Sequence, residues 1–599
     1  MIDQPKDAGG DYTLEPAPAP PVAVARPGVS QSGASKTPPV ARVKATPPRP
    51  AGLPIWELLV FLALACATPL GYEFYTRHIW EDSFINLRHS ENLVRGEGLV
   101  FNPGERVHGF TSPLNILLVA LGYVVTGATT YMAPLWFYFG LCVIAYAAGG
   151  ALLMQTLYRL APARPLSRWL FAAIYLFDVK SVAYTANGME TAFMLLFLAG
   201  CLCLMASEDA SRWILRGVCW AGLMWTRPDG FIYIGVLSAA EWLFSPGDRL
   251  NRLVSFIKGG LVCAVLYAPW FAWAWNYYGS PVPHTVTAKG DLARGGLGHL
   301  LLLLEHPRDV FQLFFIKAFL LFRPINYQIG GAWLQTPALQ YLVSGLTAAV
   351  SVFCMFYWLA PVKDRLGRAA SLSFFVICFY FTYMPSVACW YMPPLALLGM
   401  VAIARAAITL PEAWVAWTGA KSRAVPRLAL AVAGILAAGQ MALFGMTTYE
   451  MKVQQEEIEN GNRMQIGLWL REHGLPNESV YLEPLGYIGY FSNMRMMDFP
   501  GLVAPEVVQA RRDNPTLNMV ELIPILKPDW IVLRPLEMRM LVHDKQLTEE
   551  FTRDYELAQQ FNARDRLEEY SFIPGRLYVE YDSEYAIFRK RSLRPNSTQ

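Results

Sequence analysis

The most regular feature of the chain is a series of long apolar runs separated by short polar segments. The first three runs lie at residues 53–74, 113–126 and 132–157. A helix needs about 20 apolar residues to cross the hydrocarbon core of a bilayer. The runs therefore predict a polytopic α-helical membrane protein. Further spans are predicted at residues 169–185, 191–207, 213–226, 229–244, 259–276, 335–360, 370–387, 391–408 and 427–446.

The positions of lysine and arginine predict the orientation of these spans. Clusters that face the cytoplasm must be separated by an even number of crossings. The run 113–126 is short, so it is assigned to the outer interface, which leaves the loop 75–131 outside. The charge-interrupted segment 300–322 is assigned to the surface or to a shallow hairpin. About eleven crossings result, with the N-terminus in the cytoplasm and the C-terminus outside. The five clusters are Arg42, Lys44 and Arg49; Arg159, Arg164 and Arg168; Arg249, Arg252 and Lys258; Lys363, Arg365 and Arg368; and Arg405, Lys421, Arg423 and Arg427.

Three regions follow from this pattern. Residues 1–50 are rich in Pro, Ala, Val and Ser, a composition that predicts a disordered cytoplasmic tail. Residues 51–446 form the predicted transmembrane domain. From residue 447 to residue 599 the composition turns polar and predicts an outer α/β domain. Its strand-like runs are SVYLE, DWIVLRP, RLYVEY and YAIFRK, and its helix-like runs are QIGLWLREHG and LTEEFTRDYELAQQF.

Composition agrees with a membrane protein and excludes some functions. Of the 599 residues, 54% are hydrophobic and 16% are charged, and the mean hydropathy is +0.28. A net charge of +3 is too small to indicate binding of nucleic acid. All nine cysteines lie in or beside apolar runs, so neither a disulfide framework nor a zinc-ligand spacing is predicted.

The first polar loop, from Trp80 to Pro113, carries the candidate chemistry. It places two adjacent carboxylates, Glu81 and Asp82, close to a membrane surface. A carboxylate there is suited to act as a general base, whereas the alternative is a loop whose carboxylates are simply solvated. The sequence has no Walker A or dinucleotide-binding glycine motif. A polyprenyl-phosphate sugar would reach an outer site through the bilayer, and its phosphate leaves without needing a proton. One base and nearby cations would therefore suffice for transfer of the sugar.

The same loop resembles a known family. Its sequence EDSFINLRHSENLVRGEGLVFNPGERVHGFTSPL is similar to the first outer loop of GT-C glycosyltransferases, in particular the branch of terminal arabinofuranosyltransferases. The resemblance covers residues from about 53 to 510, and it is most specific in this loop and at residues 483–506. Other matching motifs are NGMET at 187–191, TRPDG at 226–230, YYGSPVPHTVTAK at 277–289, WYMPP at 390–394 and EPLGYIGYFSNMRMMDFPGLVAPE at 483–506.

The resemblance implies a multi-pass protein of the bacterial inner membrane with a periplasmic active site, a polyprenyl-phosphate sugar donor and inversion at the anomeric carbon. It aligns Glu81 and Asp82 with the two acids of the family's first loop. The first of these is Asp in the family, so which of the pair is the base stays open here, with Asp82 preferred. His108 and His284 replace acidic or amide residues, which leaves the identity of the sugar or acceptor open.

Several further residues are candidates for contact with the substrates. Glu190 would orient the acceptor or share a divalent cation with Asp82; alternatively, it interacts with a helix dipole. Lys289 and Arg323 would hold the phosphate, unless they are snorkelling cations. The other candidates, each with a structural alternative, are Arg88 (bracing the loop), His284, and Trp390 and Tyr391 (an interfacial aromatic belt). Arg227 and Asp229 are expected to form an intramembrane ion pair or to contact substrate.

The sequence thus predicts a membrane glycosyltransferase that acts on an envelope glycan or glycolipid. Two other classes of function remain open. A lipid or glycan transporter would use buried charges as a pathway, although the sequence shows no internal repeat. A non-catalytic envelope scaffold descended from such enzymes is compatible with glutamate at position 81.

Overall fold

A computed structural model describes residues 52–207, 209–245, 247–289, 305, 337–383, 388–419 and 424–593. This part of the chain is mostly helical. The predicted tail 1–50, Arg323 and nearly all of segment 300–322 lie outside the described residues. Up to the last long apolar helix, the α-helices are α1 (Ile55–Thr76), α2 (Ser83–Arg95), α3 (Pro113–Thr126), α4 (Met132–Leu160), α5 (Pro165–Leu176), α6 (Val179–Ala186), α7 (Thr191–Ser207), α8 (Trp213–Thr226), α9 (Gly230–Phe244), α10 (Arg249–Tyr278), α11 (His284–Lys289), α12 (Pro337–Phe356), α13 (Arg365–Tyr383), α14 (Met392–Thr418) and α15 (Ala424–Val453).

Most apolar runs fold as helices close to their predicted bounds. Within the described residues, five helical segments are long and apolar enough to cross a membrane, and four apolar helices are shorter. The predicted interfacial run is one of these shorter helices, α3. The number of crossings stays a prediction. The five long segments are Ile55–Thr76, Met132–Leu160, Arg249–Tyr278, Cys389–Thr418 and Ala431–His473.

The prediction of one continuous span at residues 169–185 is wrong, since the region forms two helices. Helix α5 ends at Leu176, and α6 begins after Asp178. Asp178 has extended backbone angles, and its carboxylate accepts hydrogen bonds from the backbone N–H and the hydroxyl of Ser181, at 3.0 and 2.6 Å. A buried aspartate in this position caps the second helix and stops the first from continuing.

Buried ion pairs join the helices at the ends that carry the predicted cytoplasmic clusters. Arg168 at the start of α5 donates two hydrogen bonds of 2.7 Å to Glu57 in the first turn of α1. Further pairs join Arg216 and Arg252 to Glu241, and Arg405 to Asp364. Charged groups in such surroundings stay ionised only when they are paired, so these contacts fix which helix ends lie together.

The C-terminal region contains a five-stranded mixed sheet. The strand order is β2-β1-β3-β5-β4; β1 is parallel to β2 and β3, and β5 is antiparallel to β3 and β4. Before the sheet, a π-helical segment (Gln454–Arg463) continues from α15. The remaining elements are α16 (Met464–His473), β1 (Ser479–Leu482), α17 (Gly486–Ser492), β2 (Arg495–Asp498), α18 (Pro505–Asp513), α19 (Ile523–Leu526), β3 (Trp530–Leu533), α20 (Pro535–His543), α21 (Lys545–Asp554), β4 (Tyr555–Asn562), α22 (Arg564–Glu568), α23 (Arg576–Tyr581) and β5 (Glu584–Lys590).

Both faces of the sheet are covered, because alternate residues of its central strands enter two different cores. Val480 and Leu482 pack in one core, whereas Tyr481 packs in the other. Strands buried on both faces are expected to be continuously apolar, as VYL of β1 and WIVL of β3 are.

Two predictions in this region are wrong. The run RLYVEY forms helix α23 rather than a strand, and it lies outside the five-stranded sheet. The helix predicted from LTEEFTRDYELAQQF ends at Asp554, and the rest of the run is strand β4. Pairing with β5 supplies the backbone hydrogen bonds of this segment and overrides its helical propensity.

Candidate active site

The acid pair lies in the short connection between α1 and α2. Both Glu81 and Asp82 are partly exposed, and Asp82 directly precedes the first residue of α2. The connection is fixed on one side by the carbonyl of Asn187. That oxygen accepts hydrogen bonds from the N–H of Trp80 at 3.0 Å and from the hydroxyl of Ser83 at 2.8 Å. The acid pair is therefore held against the turn that leads to Glu190.

The C-terminal region holds the acid pair from the other side. The N–H of Gly486, the first residue of α17, donates a hydrogen bond to Oε1 of Glu81. A Cβ at position 486 would collide with the backbone carbonyl oxygen of Glu81, so the approach requires glycine. Nearby, Gln455 accepts from the N–H of Ile79 at 3.1 Å, and the hydroxyl of Tyr487 donates to the Ile79 carbonyl at 3.2 Å.

The rest of the first loop is braced on the same region. Arg88 donates one hydrogen bond to the carbonyl of Gly489 and another, of 2.8 Å, to that of Met494. Its guanidinium lies 4.4 Å from the centroid of the Phe101 ring. Asn102 exchanges two hydrogen bonds of 3.0 Å with the backbone of Met496. The contacts of Arg88 thus agree with its bracing role, and its contact with substrate stays a prediction.

The two carboxyl groups differ in their electrostatic surroundings. Burial of its carboxyl and the charge of Asp82 raise the pKa of Glu81 well above the usual value, and Arg463 opposes this only in part. Arg463 itself is buried and paired with Glu459 and Asp582, at 2.7 and 2.6 Å. These surroundings favour the protonated form of Glu81, which can donate a hydrogen bond to Asp82.

A second group of predicted residues lies beside the acid pair. Arg227 pairs with Glu190 and with Asp229, at 2.9 Å in each case, and its guanidinium lies 4.0 Å from the ring centroid of Tyr391. The rings of Trp80 and Trp390 have centroids 5.8 Å apart. The exposed Lys289 places its Nζ 5.8 Å from the Trp390 ring centroid. Lys289 and the rings of Trp80 and Trp390 thus lie close to the acid pair.

The predicted sharing of a divalent cation by Asp82 and Glu190 stays a prediction. Glu190 is buried, and its Oε1 accepts a hydrogen bond from the guanidinium of Arg227. Within the described residues, no three or more His, Cys, Asp or Glu side chains are grouped so that they could hold a metal ion. Glu190 acts here as the partner of an arginine.

The two histidines noted in the sequence, His108 and His284, lie together. The N–H of His284 donates to the carbonyl of His108 at 2.9 Å, and the His108 ring stacks on Tyr278 with centroids 4.7 Å apart. Burial lowers the pKa of His108 to about 3 and that of His89 to about 4. These imidazoles are neutral at physiological pH. Contact of His284 with substrate stays a prediction.

Reasoning from the sequence did not identify Gly486 or Asn187, the two residues whose backbone groups position the acid pair. Both lie within motifs already noted, EPLGY and NGMET. For Gly486 the signal was a glycine three residues after the predicted strand SVYLE, because glycine permits close approach of another backbone segment. Neither residue contributes side-chain chemistry, so a search for reactive groups passes over them.

Parts of the chain are similar to known proteins. Residues 449–588 match the family model described as "Domain of unknown function (DUF8728)". Among solved structures, the oligosaccharyltransferase AglB from Archaeoglobus fulgidus, in complex with an inhibitory peptide and a dolichol-phosphate, aligns with 81% of this chain and 70% of its own, with 12% identity and a TM-score of 0.48. ArnT from Cupriavidus metallidurans, bound to undecaprenyl phosphate, aligns with 89% of this chain and 98% of its own, with 14% identity and a TM-score of 0.48.

Two curated proteins are similar in sequence, and both are named terminal beta-(1->2)-arabinofuranosyltransferase. The protein from Corynebacterium glutamicum is 28% identical over 268 residues, which covers 39% of this chain and 36% of that protein. The protein from Mycobacterium tuberculosis is 29% identical over 252 residues, covering 38% and 37%. The alignments thus span little more than a third of each relative. Over these segments the chain is similar to terminal arabinofuranosyltransferases, which confirms the resemblance inferred from its first polar loop.

Proposed function

We propose that the chain is an integral membrane glycosyltransferase of the bacterial inner membrane. It transfers an arabinofuranose, or another pentose or hexose, from a polyprenyl phosphate to an envelope glycan or glycolipid at the periplasmic face, with inversion. The names of the two curated relatives support the reaction class. The apolar helices support a location in a membrane. The proposed orientation, with the N-terminus in the cytoplasm and the C-terminal domain outside, rests on the clusters of lysine and arginine.

The observation that carries this proposal is the environment of the acid pair. Gly486 fixes Glu81, and the raised pKa of Glu81 favours its protonated form. Asp82 is then the carboxylate that remains free to accept a proton. The arrangement favours Asp82 as the general base, and Glu81 as the residue that positions it.

The proposed reaction is a single displacement. Asp82 takes the proton of the acceptor hydroxyl while the oxygen forms a bond to the anomeric carbon. The bond from that carbon to the phosphate oxygen breaks, and its electron pair leaves with the phosphate. Attack opposite to the leaving group inverts the anomeric configuration. Lys289 and Arg323 stabilise the charge on the phosphate, and Trp390 and Tyr391 contact the sugar or the lipid.

Glu190 has a supporting role in this scheme. It neutralises Arg227 and keeps the guanidinium against Tyr391, so that the aromatic ring is presented to the substrate. Removal of either partner would leave an unpaired buried charge, which is strongly destabilising.

The test separates an enzyme from a scaffold and a transporter. Cells that lack the protein are complemented with the wild type or with Asp82→Asn, and their envelope glycans are analysed by mass spectrometry. An enzyme predicts loss of a terminal sugar that only the wild type restores. Equal restoration by both proteins would contradict the proposal and favour a scaffold, and accumulation of an intact lipid-linked sugar on the cytoplasmic side would indicate a transporter.

A further inference from the structure

Three residues outside the acid pair lie at the same edge of the C-terminal sheet. Glu483 directly follows β1, and Arg534 directly follows β3. The two strands are parallel neighbours, so these residues share an edge. Tyr581 ends the helix that precedes β5, which runs antiparallel to β3 and therefore begins at this edge. The order β2-β1-β3 makes the space above β1 and β3 a topological switch point, where α/β sheets commonly bind ligands.

Arg534 organises this edge. Its side chain is 8% exposed, and it pairs with Glu483 at 2.9 Å, with Asp582 at 3.2 Å and with Glu537 at 2.6 Å. Its guanidinium lies 4.8 Å from the ring centroid of Tyr581. The arginine thus holds a carboxylate and an aromatic ring in fixed positions relative to each other.

The two residues that Arg534 holds remain open to solvent. The side chain of Glu483 is 44% exposed, and Tyr581 is 45% exposed, although their common partner is buried. Glu537 and Asp582 already neutralise the guanidinium of Arg534. The charge of Arg534 therefore does not explain why a third carboxylate, that of Glu483, stands here exposed to solvent. A rigid carboxylate beside an exposed ring face can accept hydrogen bonds from sugar hydroxyls while the ring covers the apolar face of the sugar.

This edge lies near the acid pair. Glu483 precedes Gly486 by three residues, and Gly486 donates its N–H to Glu81. Three residues of fully extended chain span at most about 11 Å, so the carboxylate of Glu483 is within reach of a substrate that also contacts Asp82.

We infer that Glu483 and Tyr581 form a binding subsite for a sugar residue of the acceptor glycan, next to the residue whose hydroxyl reacts. This inference rests on the proposed function. The ligand class is a neutral, hydroxyl-rich saccharide: Glu483 accepts hydrogen bonds from its hydroxyls, and Tyr581 stacks on it. Both are positioning residues and take no part in proton transfer.

The experiment measures acceptor binding and transfer with the purified full chain in proteoliposomes. The probe is a synthetic oligoarabinofuranoside, and binding is followed by saturation-transfer NMR. We expect Tyr581→Ala and Glu483→Gln each to raise the KM for the acceptor by about 3- to 10-fold, with the turnover at saturation and the KM for the donor nearly unchanged. Tyr581→Phe retains the ring and should behave as the wild type.

A matched control is Leu475→Ala, which removes an apolar side chain that is 59% exposed before the opposite end of β1. It should change neither KM. Thermal unfolding shows whether a variant has lost its fold. If one has, binding of the probe to Tyr581→Phe and to Tyr581→Ala is compared by NMR at a lower temperature.

The outcomes separate the two proposals. If the wild type transfers sugar and both variants keep its acceptor KM, the subsite is wrong and the proposed function stands. If the wild type binds the probe through these residues without transferring sugar, the subsite stands and the proposed function is wrong. Failure of the wild type to bind the probe would overturn the subsite.

Discussion

Replacement of Gly486 by alanine tests whether the C-terminal region positions the acid pair. The new Cβ would collide with the carbonyl oxygen of Glu81, so α17 and the loop must separate. Their separation breaks the hydrogen bond from the Gly486 N–H to the Glu81 carboxyl. Because Leu485 and Ile488 beside it belong to one core of the sheet, the fold of the variant is measured together with its turnover.

The expected size of the effect follows from the lost bond. A polar group left without its partner in a buried site costs about 1–3 kcal/mol. If that cost falls on the transition state, turnover decreases about 5- to 150-fold, since 1.36 kcal/mol corresponds to a factor of ten. The KM for the donor should change much less, because the donor phosphate is proposed to bind to other residues.

The assay is transfer of labelled sugar in proteoliposomes, with thermal unfolding measured on the same samples. Gly445→Ala is the matched control, because it places a methyl group on a helical glycine that has nothing within 4 Å. It should keep wild-type turnover. The reasoning would be refuted if Gly486→Ala were folded and as active as this control.

Two further predictions concern pH. The pKa of Glu81 is raised in the folded protein, so turnover should fall as pH increases through that pKa, when a second charge develops beside Asp82. The variant Glu81→Gln should lack this decrease, and a pH profile equal to that of the wild type would contradict the assignment. The buried His89 and His108 have pKa values of about 4 and 3, below those of the unfolded chain, so they contribute stability above pH 6.5 that is lost as pH falls toward 4. Urea unfolding at several pH values should show this loss, and a free energy of unfolding that does not change with pH would argue against their burial.

Much of the helical architecture was predictable because each apolar run carries its own signal. The bounds of α7 and α8 agree with the predicted spans to the residue. The break at Asp178 was missed because one polar residue hardly changes the average hydropathy of a run. Its effect comes from hydrogen bonds to Ser181, which hydropathy does not describe.

The reactive groups of the candidate site could be predicted from the sequence, whereas the residues that contact them could not. Glu81 and Asp82 stand out because they are adjacent acids beside a membrane segment. Their environment depends on Gly486, about 400 positions away, and only the fold brings that residue to the loop. The partners of Glu483 are equally distant in sequence, since Arg534 and Tyr581 belong to other elements of the sheet.

The most direct test of the central claim is the turnover of purified Asp82→Asn at saturating donor and acceptor. A general base contributes about 10²- to 10⁴-fold to a rate, so turnover should fall at least 100-fold while both KM values stay within a few-fold of the wild type. Turnover within twofold of the wild type would contradict the assignment of Asp82 as the group that accepts the proton of the acceptor.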